Sequence, residues 1–336
     1  MGSPAEVWNI SDSYAACDLC PRNCGVNRLS GEKGYCGETA ELRLAAAGIH
    51  RGEEPPVTGA GGSGTIFVSG CNLGCGFCQN WQISREGMGR IVTEGEFARI
   101  AMALQEQGAE NINIVTGSHS APALVRGIKA ARAQGLTVPV LWNSSAYESP
   151  GALDLLRDTV EAYLPDLKTL DPALSARFFK APDYPERAAA AIRRMMDFRD
   201  LRFGPPGTKG PGGNGAETPR VLRSGVLIRH LVLPGYLDAT RQVLRWFAGN
   251  AQGRALLSLM TQYTPPKTGA PDIPNRYISE KEYETLLRWL EELDIEDGFY
   301  QELVPGNTDW FPDFEKTNPF SSALSLPIWH WKQPIR

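Results

Sequence analysis

The sequence predicts an α/β fold of repeated strand-helix units, preceded by a cysteine-rich segment and followed by a carboxyl-terminal extension. From residue 65 to residue 260, short apolar or β-branched runs alternate with helical patterns, the arrangement that buries a parallel sheet behind crossover helices. The units number six, too few for a closed eight-fold barrel; the alternation by itself permits a partial (β/α)6 barrel or a doubly wound sheet. All seven cysteines precede residue 79. The expected division is therefore a cysteine-rich metal-binding segment with its connector over 1–62, a core over 63–265, and a helix with an aromatic tail packing on the core over 266–336.

At 336 residues with 42% hydrophobic content the chain can bury a sizeable core. A formal net charge of -4 provides no polybasic field, so neither nucleic acid nor an anionic membrane is an expected partner. No apolar run reaches the length of a membrane span, and residues 1–16 lack a basic-then-apolar leader pattern, which makes the cytoplasm the expected location. Cysteines confined to one end of the chain argue for metal ligation in a reducing compartment rather than a disulfide framework.

The first of those cysteines, Cys17, Cys20, Cys24 and Cys36, lie among Pro21, Gly25, Gly31, Gly34 and Gly37, which favour turns over helix. Four soft ligands close a tetrahedral zinc site or saturate a [4Fe-4S] cluster, and spacing alone does not separate the two. The cluster chemistry implied by the next loop favours a second [4Fe-4S] cluster; disulfides are the minor alternative. The connector from Glu38 to Gly64 opens with a short alternating strand and ends in prolines and glycines. Its His50, Arg51, Glu53 and Glu54 could reach the mouth of a site, although a salt-bridged surface loop is the commoner explanation for such charges.

Thr65–Val68 reads as a buried strand ended by Ser69-Gly70, so Cys71, Cys75 and Cys78 lie just past a strand's carboxyl end. Three thiolates on a [4Fe-4S] cluster leave one iron open to an exogenous ligand, as a catalytic zinc keeps one position open. Gly70, Gly74 and Gly76 are expected to let backbone N–H groups approach the sulfurs, a control on cluster potential. Buried structural thiols or a zinc knuckle are the alternatives.

Cys71-x3-Cys75-x2-Cys78, with Phe77 before the last cysteine, resembles the signature of the radical S-adenosylmethionine (SAM) superfamily. Gln79-Asn80 is similar to the activating enzymes of glycyl-radical proteins. The division into four and then three cysteines, with GIHRGEEP and GSGTIF between, resembles a pyruvate-formate-lyase-activating-enzyme-like branch of iron-sulfur proteins over almost the whole chain. The resemblance implies a partial (β/α)6 barrel and a cluster whose open iron is chelated by the amine and carboxylate of SAM, with Phe77 and Asn80 among the cofactor contacts. It implies reductive SAM cleavage to a 5′-deoxyadenosyl radical, an external electron donor such as flavodoxin or ferredoxin, and a peptide, protein or small-molecule substrate. A glycyl-radical activase is one alternative, although Cys78 to Asn111 is too short for the ferredoxin insert many of these carry. A non-catalytic iron-sulfur or zinc protein is the other.

Beyond the loop, helices are expected over Glu94–Gln107, Pro122–Gln134, Ala152–Arg157, Asp183–Arg199, Asp238–Ala248 and Ser279–Leu293, and strands over Asn111–Val115, Val138–Asn143, Tyr163–Leu170, Gly225–Val232 and Ala255–Met260. Residues 203–219 are too rich in proline and glycine for regular structure and read as a surface insertion rather than a lid. Trp310, Phe311, Phe314, Phe320, Trp329 and Trp331 form a tail expected to dock on the core or cover one end of it.

In a parallel sheet the polar residues just after each strand converge on one rim. Ser118 and His119 stand where the family's Gly-Gly-Glu segment holds the SAM amine, with one matching glycine, Gly117, and no glutamate. Asn143, Ser144 and Ser145 suit hydrogen bonds to ribose or carboxylate, or a plain turn. Asp166 and Lys168 alternate onto one face and resemble the activating enzymes' Asp-Leu-Lys element. Arg229 and His230 match the family's arginine-bearing strand, where Arg229 could pair with a carboxylate. Gln262 and Tyr263 follow the last strand without an assigned role.

Overall fold

Strands and their order explain the barrel. The computed structural model describes residues 12–205, 220–266, 273–306, 310–321 and 323–333. Its strands are β1 (Leu42–His50), β2 (Ser63–Val68), β3 (Arg90–Val92), β4 (Ile112–Val115), β5 (Val140–Ser144), β6 (Ala162–Pro165), β7 (Arg202–Gly204), β8 (Val221–Leu231), β9 (Leu256–Met260), β10 (Gly298–Tyr300) and β11 (Ser325–His330). In space they run β10-β9-β8-β6-β5-β4-β2-β1-β11, with β3 paired to β1 and β7 to β8. The pairs from β2 through β4, β5, β6, β8 and β9 to β10 are all parallel. Because the six expected strands follow one another in chain order without reversing, the sheet is wound in one direction, which selects the partial barrel over the doubly wound alternative.

Strand parity builds two apolar layers and one polar one. Outward residues such as Ile114, Trp142, Tyr163 and Ile228 join Phe97, Leu124, Ile192 and Phe247 of the surrounding helices in the larger core. Inward residues Leu141, Leu164, Leu227 and Leu256 form a separate apolar floor, plugged by Val57. Two residues further along each strand the same inward face presents Asn143, Asp166, Arg229 and Ser258, so the barrel turns polar towards its carboxyl end.

Helix caps follow the sequence closely. Thr93 accepts the Glu96 N–H at the head of Glu94–Glu106, and Ser279 with Glu282 forms a capping box on Glu280–Glu292. Pro122 and Pro150 sit in the first turns of Ala121–Ala133 and Pro150–Leu156. The helix Pro172–Phe179, capped by Asp171, was not among the expected elements.

Several expected boundaries are corrected. The connector's strand is nine residues long and mostly buried, because β1 lies between β2 and β11, antiparallel to both. The strand expected over Tyr163–Leu170 ends at Pro165; beyond it Leu167 N–H donates to the Arg229 carbonyl as the chain leaves the sheet. β8 begins at Val221, four residues early, because its first half pairs with β7. The tail contributes β11 to the sheet and buries Phe314 and Trp329. Most of the expected insertion, residues 206–219, lies outside the described residues. Among the described residues no helix is long and apolar enough to cross a membrane.

Candidate active site

At the carboxyl ends of the parallel strands lies a cavity of about 810 Å³, and Cys71, Cys75 and Cys78 all line it. Gly70, at φ +84°, makes the turn from β2 into the cysteine loop; a Cβ there would meet Glu38 Cγ at 2.6 Å and the Cys36 carbonyl at 2.9 Å. The N–H groups of Gly70, Gly74 and Gly76 themselves bond carbonyls rather than sulfurs. They donate to the carbonyls of Ile83, Phe179 and Phe178 at 2.9, 2.9 and 3.0 Å, anchoring the loop to its surroundings. The contact to sulfur comes from Leu73 N–H, 3.4 Å from Cys71 Sγ.

Burial pushes the Cys71 thiol up to about 11 and Cys75 to about 12, and the neighbouring sulfurs of the loop add to both shifts. Three soft donors of mutually repelling charge in one pocket ionise together only around cationic metal, so the donor set fits an iron-sulfur cluster. Among the described residues no three His, Cys, Asp or Glu side chains converge as the cage of a single metal ion.

Around the thiols the cavity has an aromatic side and a charged side. Phe77 packs edge-on to Phe178, Phe179 and Tyr263 at 5.5 to 6.3 Å between ring centroids, and Asn80 lines the same wall. Asn143 and Ser144 of β5, Ser145 just beyond it, and Asp166 and Lys168 after β6 line the cavity. Lys168 Nζ bonds Asp166 Oδ2 at 2.6 Å; burial works against its charge, but Asp166 together with Cys75 and Tyr184 outweighs burial and holds the ammonium protonated. Tyr184 fixes this segment, its O–H donating to the Asp166 carbonyl at 2.6 Å while accepting the Lys168 N–H at 3.0 Å.

Arg229 meets two carboxylates. Its guanidinium donates to Glu54 at 2.9 and 2.5 Å and to Glu53 at 2.5 Å, while Asn113 Nδ2 donates to the other Glu53 oxygen at 3.1 Å. Burial opposes the Arg229 charge and raises Glu54, but the pairing prevails, holding arginine protonated and Glu54 below the usual carboxylate range. Of the connector charges, Glu53 and Glu54 thus form a largely buried network with Arg229 at the cavity, whereas Arg51 is exposed and outside its lining. His50, Glu53 and Glu54 all line the cavity, with Phe320 4.7 Å and Trp310 6.4 Å from the His50 ring. A lone arginine in an apolar strand demands a carboxylate partner, and Glu53-Glu54 before a proline turn was the available signal.

Three expected contacts are corrected. At Thr116 the backbone adopts φ 62° and turns Ser118–Ser120 behind the rim. Ser118 donates to buried Glu148 at 2.7 Å, and His119 Nε2 bonds the Ser69 carbonyl at 2.7 Å; neither lines the cavity. Burial, then Arg28, lowers His119 to about 3, so it stays neutral. His230 faces outward by strand parity, bonding the Leu167 carbonyl at 2.7 Å and Thr240 at 2.9 Å, and burial lowers it to about 4.

Cys17, Cys20, Cys24 and Cys36 form a second group off the sheet and away from the cavity lining. Burial raises Cys17 and Cys36 and pushes Cys20 up to about 12, and the charges of the other sulfurs in the group raise Cys20 further. Their segment packs on the cysteine loop: Arg22 donates to the Asn72 carbonyl at 2.9 Å and lies 3.9 Å from the Tyr35 ring centroid.

The sequence profile of the Radical SAM superfamily matches residues 65–206, which hold the cysteine loop and β2 through β7. Residues 65–206 are therefore similar to the radical SAM superfamily. That superfamily cleaves SAM at a [4Fe-4S] cluster, a chemistry that three cavity-lining thiols would suit. An uncharacterized protein of Methanocaldococcus jannaschii is 28% identical over 300 residues, covering 87% of this chain and 79% of that protein. Streptococcus suis SuiB bound to SAM is similar in fold at a TM-score of 0.50 and 12% identity, covering 69% of this chain and 48% of SuiB. This chain thus spans about half of SuiB. A domain of a pyruvate-formate lyase-activating enzyme from Bacteroides vulgatus matches at a TM-score of 0.37 and 14% identity, covering 53% of this chain and 89% of that domain.

Proposed function

We propose that this radical SAM enzyme uses Cys71, Cys75 and Cys78 to hold a [4Fe-4S] cluster with one iron free for SAM, and that it abstracts hydrogen from a peptide, protein or small-molecule substrate. When bound, the cluster supplies the electron that cleaves SAM to methionine and a 5′-deoxyadenosyl radical. One observation carries the reading: the three thiols share a cavity with Asn143, Ser144, Asp166, Lys168 and Arg229, delivered by the ends of three strands, β5, β6 and β8, or the turn that follows. The Phe77 wall would exclude water from a reactive radical and stack near adenine. Asn143 and Ser144 offer hydrogen bonds to ribose or carboxylate, while Asp166, Lys168 and the Glu53-Arg229-Glu54 network orient charged groups of SAM or substrate.

The four amino-terminal cysteines are proposed to hold a second, fully ligated metal group. A [4Fe-4S] cluster is favoured over zinc because cluster chemistry is already implied at the neighbouring Cys71, Cys75 and Cys78 loop. Seven free thiols suit a reducing compartment such as the cytoplasm, with flavodoxin or ferredoxin as the class of electron donor. The test is anaerobic reconstitution with iron and sulfide, then reductant and SAM. Release of 5′-deoxyadenosine and methionine is expected; fully loaded protein that leaves SAM intact would refute the proposal.

A further inference from the structure

Arg28 lies among the amino-terminal cysteines and is 1% exposed, as deeply buried as any charged residue described. It opens the single turn Arg28–Ser30, capped by Asn27. Its guanidinium donates to the Thr39 carbonyl through Nε at 3.1 Å and Nη2 at 2.5 Å, and to the His119 carbonyl through Nη1. Nη1 also lies 3.9 Å from Cys17 Sγ, and the Tyr14 ring covers the guanidinium at 4.7 Å. No carboxylate bonds to it in the described structure. The groups whose negative charge would support it are Cys36, Tyr14 and Cys17, while the buried Glu38 carboxylate, within electrostatic reach, is already paired with Arg43.

A guanidinium cannot discharge itself, and carbonyl dipoles satisfy its hydrogens without neutralising it. Four protonated thiols would leave that charge only the more distant Glu38, which Arg43 already neutralises. Four thiolates around a doubly positive core, whether zinc or [4Fe-4S], carry net negative charge and would match it. The same Nη1 that approaches Cys17 holds the carbonyl of His119, whose Nε2 bonds the Ser69 carbonyl two residues before Cys71.

We propose that Arg28 is the counter-charge and positioning residue of a thiolate-ligated metal group at Cys17, Cys20, Cys24 and Cys36, and that it ties this group to the backbone carrying Cys71. The inference rests on the second metal group proposed above, and the test separates the two.

The full-length chain with Cys71, Cys75 and Cys78 all changed to Ala is loaded anaerobically with iron and sulfide, or with zinc, so that any metal reports on the amino-terminal group. Arg28→Met is expected to lose metal to a chelator about tenfold faster or more, in line with the usual effect of removing a partner behind a ligand shell. Arg28→Lys, which keeps the charge but not the fork, should fall between. Demetallation should also lower Tm more in the protein with Arg28 than in Arg28→Met, because only the former then strands a buried charge; a purely structural arginine would give additive changes. Should Arg28→Met not fold, Arg28→Gln drops the charge while keeping polar hydrogens and carries the same comparison. Equal chelator resistance together with additive Tm changes overturns the role of Arg28. A parent triple variant that takes up neither iron nor zinc overturns the second metal group, and the proposal with it.

Discussion

Cys71, Cys75 and Cys78 follow a buried parallel strand and open into a cavity walled by other strand ends; Cys17, Cys20, Cys24 and Cys36 lie in turns outside the sheet, packed behind that loop. Each region has its own buried arginine. Arg229, beside the cavity, is matched by Glu53 and Glu54, whereas Arg28, beside the four cysteines, has carbonyls, a tyrosine face and a cysteine sulfur. The difference teaches where negative charge must come from. In the cavity the chain supplies its own carboxylates, and the space above them is left for a ligand. In the amino-terminal segment no carboxylate bonds Arg28 among the described residues and the cysteine sulfurs lie beside it, which is why the four thiols outside the cavity lining read as a closed group and the three that line it read as a reactive one.

The comparison breaks most sharply at the thiols. Changing Cys71, Cys75 or Cys78 singly to Ala should abolish SAM cleavage, measured as 5′-deoxyadenosine released by reconstituted protein. Changing Cys17 or Cys20 to Ala should instead lower stability while the loop still takes up about four irons, the content of one cubane, by iron and sulfide analysis. Normal cleavage in any loop variant, or loss of loop iron in the others, would merge the two regions into one site.

Arg229 tests the second half. Arg229→Met strands two buried carboxylates and should cost roughly 3–5 kcal/mol in urea unfolding, the usual result of breaking a buried pair from one side. Adding Glu53→Gln and Glu54→Gln should recover much of that loss; no recovery would mean that packing, not charge, dominates at this position.

The joint between the regions is smaller in scale. Gly70→Ala would place a Cβ 2.6 Å from Glu38 Cγ, and 2.9 Å from both the Cys36 carbonyl and His119 Nε2, at φ +84°. The backbone conformation alone costs about 1–2 kcal/mol. Reconstitution should show slower iron uptake by the loop together with a lower Tm; unchanged behaviour in both would show that the segments merely touch.

The smallest effect is in pH. His230 and His119 are lowered to about 4 and about 3, against about 6.5 for an unfolded histidine. As pH falls below 6.5 the unfolded chain takes up protons that the folded one refuses, so stability present above 6.5 is lost progressively down towards 4. Each histidine should contribute about 1 kcal/mol of that loss near pH 6. Urea midpoints from pH 7 to 5 should fall, and His230→Gln, which removes one of the two, should flatten the slope.

What the sequence by itself determined is what depends on local spacing. The strand-helix alternation, the turn at Gly70, three cysteines within eight residues and the shared face of Asp166 and Lys168 all follow from short-range periodicity and covalent geometry. The tertiary structure decided the rest because it turns on pairings and directions between distant segments. Strand parity, set by the β8 register, sent Arg229 inward and His230 outward, and the left-handed residue Thr116 carried Ser118 and His119 behind the rim. β1 became a nine-residue buried strand only because β11, from the far end of the chain, came to cover its edge. Arg229 found Glu54 across 175 residues of sequence. Burying a charge compels it to find a partner, but which partner lies within reach is settled only when the barrel closes around both.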